Sequence, residues 1–236
     1  MEHIILPDRT VRSLSFYLAM EEYVAAALGC GFFVWQVNPT VIIGRNQDLA
    51  SEVDLDFCAS RGIEIVRRKS GGGCVYADRG NLMISFITPE RGVDIVFPAY
   101  LQRLASVLRG CGVNAIVTGH NDILISGRKV SGSAFFSHPG ASIAHSTLMF
   151  SVDLDALERA ITPPVEKLAR HAVRSVRQRV ANLREYAPDL TVEAVADALV
   201  ASFCDSERVI SETEIEAIEQ LEKCYHKESF ILGKAP

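Results

Sequence analysis

Ile63-Glu-Ile-Val-Arg-Arg-Lys-Ser-Gly-Gly-Gly-Cys-Val-Tyr76 is the stretch on which the fold turns. Ile63 to Val66 reads as a strand and Cys74 to Tyr76 as the next, so Gly71 to Gly73 occupy a loop between strands. Three residues without side chains let the backbone approach a ligand closely and turn its amides inward. Arg67, Arg68 and Lys69 set positive charge beside them; the plainer alternative is a flexible turn with surface charges. The segment matches neither G-x-x-x-x-G-K-S/T nor G-x-G-x-x-G, which excludes the P-loop and Rossmann nucleotide motifs.

Working outward, Leu82 to Ile87 continues as a strand. Before the loop, Ser13 to Leu28 carries apolar residues near helical period, and Val53 to Ser60 reads as a helix ending near Gly62. Phe32 to Val37 and Thr40 to Ile43, joined by Asn38-Pro39, read as a hairpin. Beyond the loop, Val93 to Cys111 is a long helix. Strands follow at Asn114 to Val117, Ile123 to Ile125, Lys129 to Phe136 and Ile143 to Phe150, with Ser126-Gly127 as a tight turn. From Asp153 onward the chain becomes predominantly helical, with helices at Thr191 to Phe203 and Ser211 to Cys224 and a capping box at Ser211-Glu-Thr-Glu214. The order is neither strict βαβ alternation nor strands alone, and it predicts an α+β domain with a mixed β-sheet and packed helices over residues 1–236.

The chain has 236 residues, 48% of them hydrophobic, enough for one sizeable core. A net charge of -5, with no basic block longer than Arg67 to Lys69, argues against a general nucleic-acid surface. The apolar run Val24 to Val34 is interrupted by glycines and falls short of the roughly 18 residues of a spanning helix. The N-terminus lacks the pattern of a secretory signal, so a cytoplasmic protein without a membrane segment is expected. Six cysteines are scattered without a C-x-x-C pair and read as reduced thiols.

Gly127-Arg-Lys-Val-Ser-Gly-Ser133 presents a lysine from a strand. Alternation places Lys129, Ser131 and Ser133 on one face and Arg128, Val130 and Gly132 on the other, giving a basic, hydroxyl-lined surface to an anion. Taken alone, an exposed strand lysine is the simpler reading. Asn121-Asp122 precedes this hairpin; a carboxylate facing phosphates usually does so through Mg²⁺, and a solvated turn aspartate is the alternative. His145 reads as a hydrogen-bonded strand residue or a catalyst, and Trp35 as a core residue or the wall of an apolar pocket.

In order along the chain, Leu18-Ala-Met-Glu-Glu22, Val41-Ile-Ile-Gly-Arg-Asn-Gln47, Val66 to Tyr76 with Gly80-Asn-Leu82, Asn121-Asp122, Gly127 to Ala134, His145-Ser-Thr-Leu148 and Ser175 to Leu183 resemble the lipoate-protein ligase family of the biotin and lipoate ligase superfamily. The resemblance implies a catalytic domain that joins lipoate to AMP at the expense of ATP with Mg²⁺. That domain then passes the lipoyl group to a lysine on a carrier domain, either an E2 subunit of a 2-oxo acid dehydrogenase or the glycine-cleavage H protein. By position it implies lipoate contacts at Trp35, Arg68, Ser70, Gly71, Gly72 and His145. It implies nucleotide contacts at Gly73, Cys74, Val75, Tyr76, Asn81, Asn121, Lys129, Ser131 and Ser133. Lys129 would be the catalytic residue bridging carbonyl and phosphate, Asp122 would hold Mg²⁺ or orient Lys129, and Pro163 to Val180 would cover the adenylate.

The chain departs from the family pattern at Ala77, Ala144, Ser146, Ala172 and Gln178. It reaches Pro236 where many relatives continue into an accessory domain, which the resemblance implies is absent here. In bipartite relatives a separate polypeptide supplies it, and the hypothesis is that this chain transfers a preformed lipoyl group alone but needs such a partner for adenylation. A transferase working between carriers would need a cysteine near Asn121-Asp122 or after Ile161-Thr-Pro, and neither place has one. A biotin ligase would carry Gly-Arg-Gly-Arg in its loop. A lipoyl-binding paralogue without turnover is the reading from outside catalysis.

Overall fold

A computed structural model of the chain describes residues 1–118, 121–162 and 176–233. Among these, the strands form an eight-stranded sheet and a separate three-stranded sheet. The elements in chain order are β1 (Glu2–Ile5), α1 (Leu14–Tyr23), β2 (Gly31–Trp35), β3 (Thr40–Ile43), α2 (Leu49–Glu52), α3 (Leu55–Arg61), β4 (Glu64–Arg67), β5 (Val75–Ala77), β6 (Asn81–Thr88), α4 (Val93–Gly110), β7 (Ile116–Val117), β8 (Asp122–Ile125), β9 (Arg128–His138), β10 (Ala141–Met149), α5 (Leu154–Ala160), α6 (Val176–Arg179), α7 (Val192–Phe203), β11 (Ser206–Val209), α8 (Glu212–Glu222) and α9 (Glu228–Ile231). The large sheet runs β11-β1-β2-β6-β10-β9-β8-β7 and the small one β4-β3-β5. The mixed α+β architecture expected from the element order is thus present, divided between two sheets. Most of the expected adenylate-covering segment Pro163 to Val180, namely residues 163–175, lies outside the described residues.

Local chemistry explains the boundaries. Ser13 caps α1 by accepting from the Phe16 amide, and Gly62, in the left-handed region, stops α3. Ser126 and Gly127, both at positive φ, make the two-residue turn that aligns β8 with β9. The Ser211 capping box forms as expected at the start of α8.

Two expectations need correction, and one strand is added to the C-terminal part. The segments around Asn38-Pro39 are not a hairpin: β2 pairs with β6, while β3 pairs with β4 and β5. The turn diverts the chain from one sheet to the other. The C-terminal part is predominantly helical as expected, with one added strand, β11, that joins the large sheet parallel to β1. A bulge between β8 and β9 shifts the register, so that Ile123 faces Ser131 but Leu124 faces Lys129. One extra residue reverses the side to which a strand residue points, and Lys129 moves to the face of Gly132 and away from Ser131 and Ser133.

The two faces of the large sheet pack against different partners. Phe33, Trp35, Met83, Ile87 and Ile143 meet α1 and, through Ile42 and Val66, the small sheet. Phe32, Leu82, Ile84, Ala144 and Leu148 meet α4 and α7. A third cluster fills the far side of the small sheet, with Val41, Ile43 and Tyr76 against α3 and α5.

Candidate active site

Between the two sheets and α1 lies a cavity of about 310 Å³. Leu14 and Leu18 from α1, Trp35, Ile42, Val75 and Met83 give it an apolar wall, and Arg68, Asp122, Lys129, His145 and Arg179 supply polar groups.

At one end, Lys129 Nζ lies 2.8 Å from Asp122 Oδ1 and Arg179 Nη2 lies 2.6 Å from Asp122 Oδ2. Burial alone would raise the Asp122 carboxyl, but Lys129 and Arg179 outweigh it and hold it below the usual carboxylate range. Burial also pulls Lys129 below the ordinary ammonium range, opposed by Asp122 and reinforced by Arg179 and Arg68. Gly132 gives the ammonium its room, since a Cβ there would stand 2.5 Å from Nζ.

At the other end, His145 Nε2 is 2.8 Å from Ser70 Oγ, and Nδ1 is 3.0 and 3.2 Å from the two Glu21 oxygens. Glu21 accepts in turn from Ser85 Oγ at 2.6 Å, and Ser85 accepts from Trp35 Nε1 at 2.9 Å. Glu21, Ser85 and Ser70 are buried. The carboxylate fixes the imidazole with a proton on Nδ1 and turns Nε2 toward Ser70.

The basic triplet beside the glycines faces the protein. Arg67 donates to the carbonyls of Gly44, Gln47 and Ile231. Arg68 donates to those of Ile42, Gly71 and Gly73, and burial lowers its pKa to about 10. Lys69 pairs with Glu22 at 2.6 Å and lies over the Tyr225 ring. Their charge tethers the loop, whose backbone bends through Gly72 at φ +101°.

Most of the sequence candidates converge. Trp35, Arg68, Gly72, Gly73, Cys74, Val75, Asn121, Asp122, Lys129, Ser133 and His145 line the cavity. Ser70 acts through His145, and Gly71 through its carbonyl to Arg68. Three candidates lie elsewhere. Tyr76 packs on the far side of the small sheet, Asn81 accepts from the Asp78 amide in a turn, and Ser131 is buried on the α4 face by the bulge. The Ser133 hydroxyl is also engaged on that face, with Ser146, which bonds Tyr100.

Asp122 was expected either to hold a metal or to orient Lys129, and the geometry fits the second role. Both its oxygens face cations, and no group of three His, Cys, Asp or Glu gathers among the described residues. With both oxygens on cations, Asp122 would meet a Mg²⁺ brought by phosphates only by giving one of them up.

Glu21, Ser85, Gly132 and Arg179 were not among the candidates. Glu21 had a signal: Leu14, Tyr17, Leu18 and Glu21 follow the i, i+3, i+4, i+7 spacing of one helical face, so the acid lies on the apolar stripe.

The model of the lipoyl protein ligase A/B catalytic domain matches residues 13–204. Lipoate–protein ligase 1 of Staphylococcus aureus is 37% identical over 216 residues, covering 89% of this chain and 64% of its own length. Among solved structures, a bi-partite lipoate protein ligase from Thermoplasma acidophilum, studied with its E2 lipoyl domain, superposes with a TM-score of 0.87 at 28% identity, covering 100% of this chain and 97% of that one. A lipoate-protein ligase A bound with ATP gives a TM-score of 0.85 at 26% identity, covering 100% of each chain.

Proposed function

The chain belongs to the lipoyl protein ligase A/B catalytic-domain family, and from that premise we propose that it activates lipoate with ATP and transfers the lipoyl group to a carrier lysine. The observation that carries this is the cavity's asymmetry, an apolar wall leading to an end where two cations share one carboxylate. A ligand with an aliphatic tail and an anionic head fits that arrangement.

In the first step the lipoate carboxylate attacks the α-phosphate, forming lipoyl-AMP and releasing pyrophosphate. Lys129 offsets the charge that gathers on the phosphate oxygens, and Asp122 keeps its ammonium aimed and protonated. In the second, a neutral carrier amine attacks the acyl carbonyl; Lys129 stabilises the oxyanion, AMP leaves with the electron pair of the broken C–O bond, and the nitrogen gives up its surplus proton to the departing phosphate. Enclosure between the sheets shields the mixed anhydride from water. Leu18, Trp35 and Met83 contact the aliphatic tail, while His145 and Ser70 meet the polar end of that wall.

The carriers proposed are lipoyl domains of E2 subunits or the glycine-cleavage H protein, a reading supported by the E2 domain named with the Thermoplasma relative. The proposed compartment is the cytoplasm, where the six cysteines, none in a disulfide, stay reduced. No helix among the described residues is long and apolar enough to cross a membrane.

Mass spectrometry of a lipoyl domain incubated with the protein, lipoate and Mg-ATP tests the proposal. The expected result is a gain of one lipoyl group; no gain with Mg-ATP or with preformed lipoyl-AMP sinks it. The coverage shared with the bi-partite Thermoplasma ligase favours a second reading, that another polypeptide assists activation. A gain with lipoyl-AMP alone supports that reading, and lipoate-dependent ATP–pyrophosphate exchange by this chain unaided removes it.

A further inference from the structure

The glycine loop is bonded in two directions. Within the small sheet, the Arg68 amide donates to the Ile43 carbonyl and the Arg45 amide to the Ser70 carbonyl, each at 3.0 Å. These bonds fix the loop on β3 and leave open its distance from α1, which supplies another wall of the cavity. Side chains span that distance. Ser70 reaches Glu21 through His145, and Lys69 reaches Glu22 directly, Nζ to Oε2 at 2.6 Å. Two consecutive acids of one helix therefore hold two consecutive residues of the loop.

Glu22 has a second partner. Tyr225, in the turn after α8, is buried and donates its hydroxyl to Glu22 Oε1. The Lys69 ammonium stands 5.3 Å from the centroid of the Tyr225 ring, so each of the three side chains touches the other two. Burial, and after it the Glu22 charge, push the Tyr225 phenol up, which keeps the proton on the bond. The same C-terminal segment also holds the base of the loop, where Arg67 Nε donates to the Ile231 carbonyl at 2.9 Å. An ion pair of two free surface side chains stabilises little. Here the Glu22 side chain keeps 13% of its exposure, and Tyr225 fixes both partners, so less conformational freedom is lost when they pair.

We infer that Lys69, held by Glu22 and Tyr225, is a positioning residue that keeps the glycine loop drawn against α1 and thereby sets how long an acid stays bound in the cavity. The inference rests on the lipoate reading above and deepens it. Arg68 and Ser70, on either side of Lys69, are buried; Arg68 lines the cavity and Ser70 bonds His145. The pull on Lys69 from outside the cavity decides where these two side chains stand within it. Releasing Lys69 lets the loop move away from α1 while its bonds to β3 stay intact, so bound ligand escapes faster without entering faster.

Stopped-flow displacement of lipoate, followed by the fluorescence of Trp35, tests this, since Trp35 is the chain's one tryptophan and lines the cavity. Lys69→Met is expected to raise the dissociation rate roughly 3- to 10-fold, the scale of a partly buried ion pair, with the association rate within about twofold of wild type. Lys69→Arg keeps the charge and should restore most of the wild-type rate. Tyr225→Phe keeps the ring, removes the hydroxyl and should raise the rate roughly 2- to 5-fold. In the double variant Lys69→Met with Tyr225→Phe, the effects should combine to less than their product, because both act through Glu22. Thr191→Ala removes the hydroxyl that accepts from the Ala194 amide at the start of α7; it supplies a loss of stability remote from the loop and should leave dissociation unchanged. An unchanged dissociation rate in Lys69→Met overturns the inference, as does a rise matched by Thr191→Ala at the same loss of thermal midpoint, which would mark general loosening. A wild-type protein that binds no lipoate overturns the lipoate reading, and the inference with it.

Discussion

The cavity has two polar ends built on opposite principles. At the Lys129 end, two cations share one carboxylate and the partners come from three segments: β8, β9 and the last residue of α6. At the His145 end, one imidazole faces one carboxylate, and the surrounding Ser70, Ser85 and Trp35 are buried and hydrogen-bonded. The first end gains by taking up an anion. The second is already satisfied, so its work is to hold the shape of the apolar wall. Surplus positive charge marks the place for chemistry, and a closed hydrogen-bond network marks the place for fit.

The largest test removes the centre of the unbalanced end. Lys129→Ala is expected to slow lipoate-dependent ATP–pyrophosphate exchange roughly 10²- to 10³-fold, with lipoate affinity by calorimetry near wild type. Near-normal exchange would break the contrast between the ends. Gly132→Ala comes next. Its Cβ would meet Nζ at 2.5 Å, and displacing the ammonium by about 1 Å is expected to cost up to roughly 10²-fold in exchange rate, without the charge loss of the first variant. A Gly132→Ala protein with wild-type rates would show that the position of Nζ does not matter.

Protonation sharpens the comparison further. Lys129 acts as an ammonium, and burial pulls its pKa below the ordinary lysine range while Asp122 pushes it back up. The active form is complete at the lower pH and lost as pH rises through the lowered pKa. Asp122→Asn removes the upward push, so the alkaline limb of the exchange rate should move to lower pH. A limb that stays in place would detach Lys129 from Asp122.

How far the sequence reveals these ends differs between them. The strand, turn and strand around Ser126-Gly127 follow from alternation and turn chemistry, and they place Asp122 and Lys129 near each other without coordinates. Alternation cannot register the extra residue of a bulge, however, so Ser131 was assigned to the wrong face. The short strands Glu2–Ile5 and Ser206–Val209 were missed because neither carries a full apolar alternation; the second lies mostly exposed at a sheet edge. Glu21 is visible as an acid on an apolar helical face, whereas its pairing with His145 joins residues 124 positions apart. Arg179 sits in a segment recognisable by resemblance, but its link to Asp122 depends on how that segment docks on β9.

At the His145 end, Glu21→Gln keeps the shape of the side chain and removes its charge. The expected loss is about 1.5–3 kcal/mol in stability by denaturant titration, the range for a hydrogen bond to a charged group. The KM for lipoate should rise while kcat and ATP affinity stay near wild type. A fall in kcat with unchanged KM would assign Glu21 to the chemistry and erase the division of labour.

The smallest effect tests whether the two ends are mechanically separate. Helix α8 packs on α1, which carries Glu21, and is tied to it by Tyr23, whose hydroxyl donates to Glu214 at 3.1 Å. Glu214 closes the capping box with Ser211, and the Ser211 amide, its hydroxyl and Arg208 hold the Glu214 carboxyl down at about 2. Ser211→Ala removes the cap and is expected to cost about 1 kcal/mol, or roughly 2–4 °C of thermal midpoint in a domain of this size. Because α8 reaches the cavity through α1 and not through β9, any change in binding should appear in lipoate affinity before ATP affinity. A variant that weakens ATP binding and spares lipoate would mean that the ends are coupled through the core, and that the His145 end does more than hold its shape.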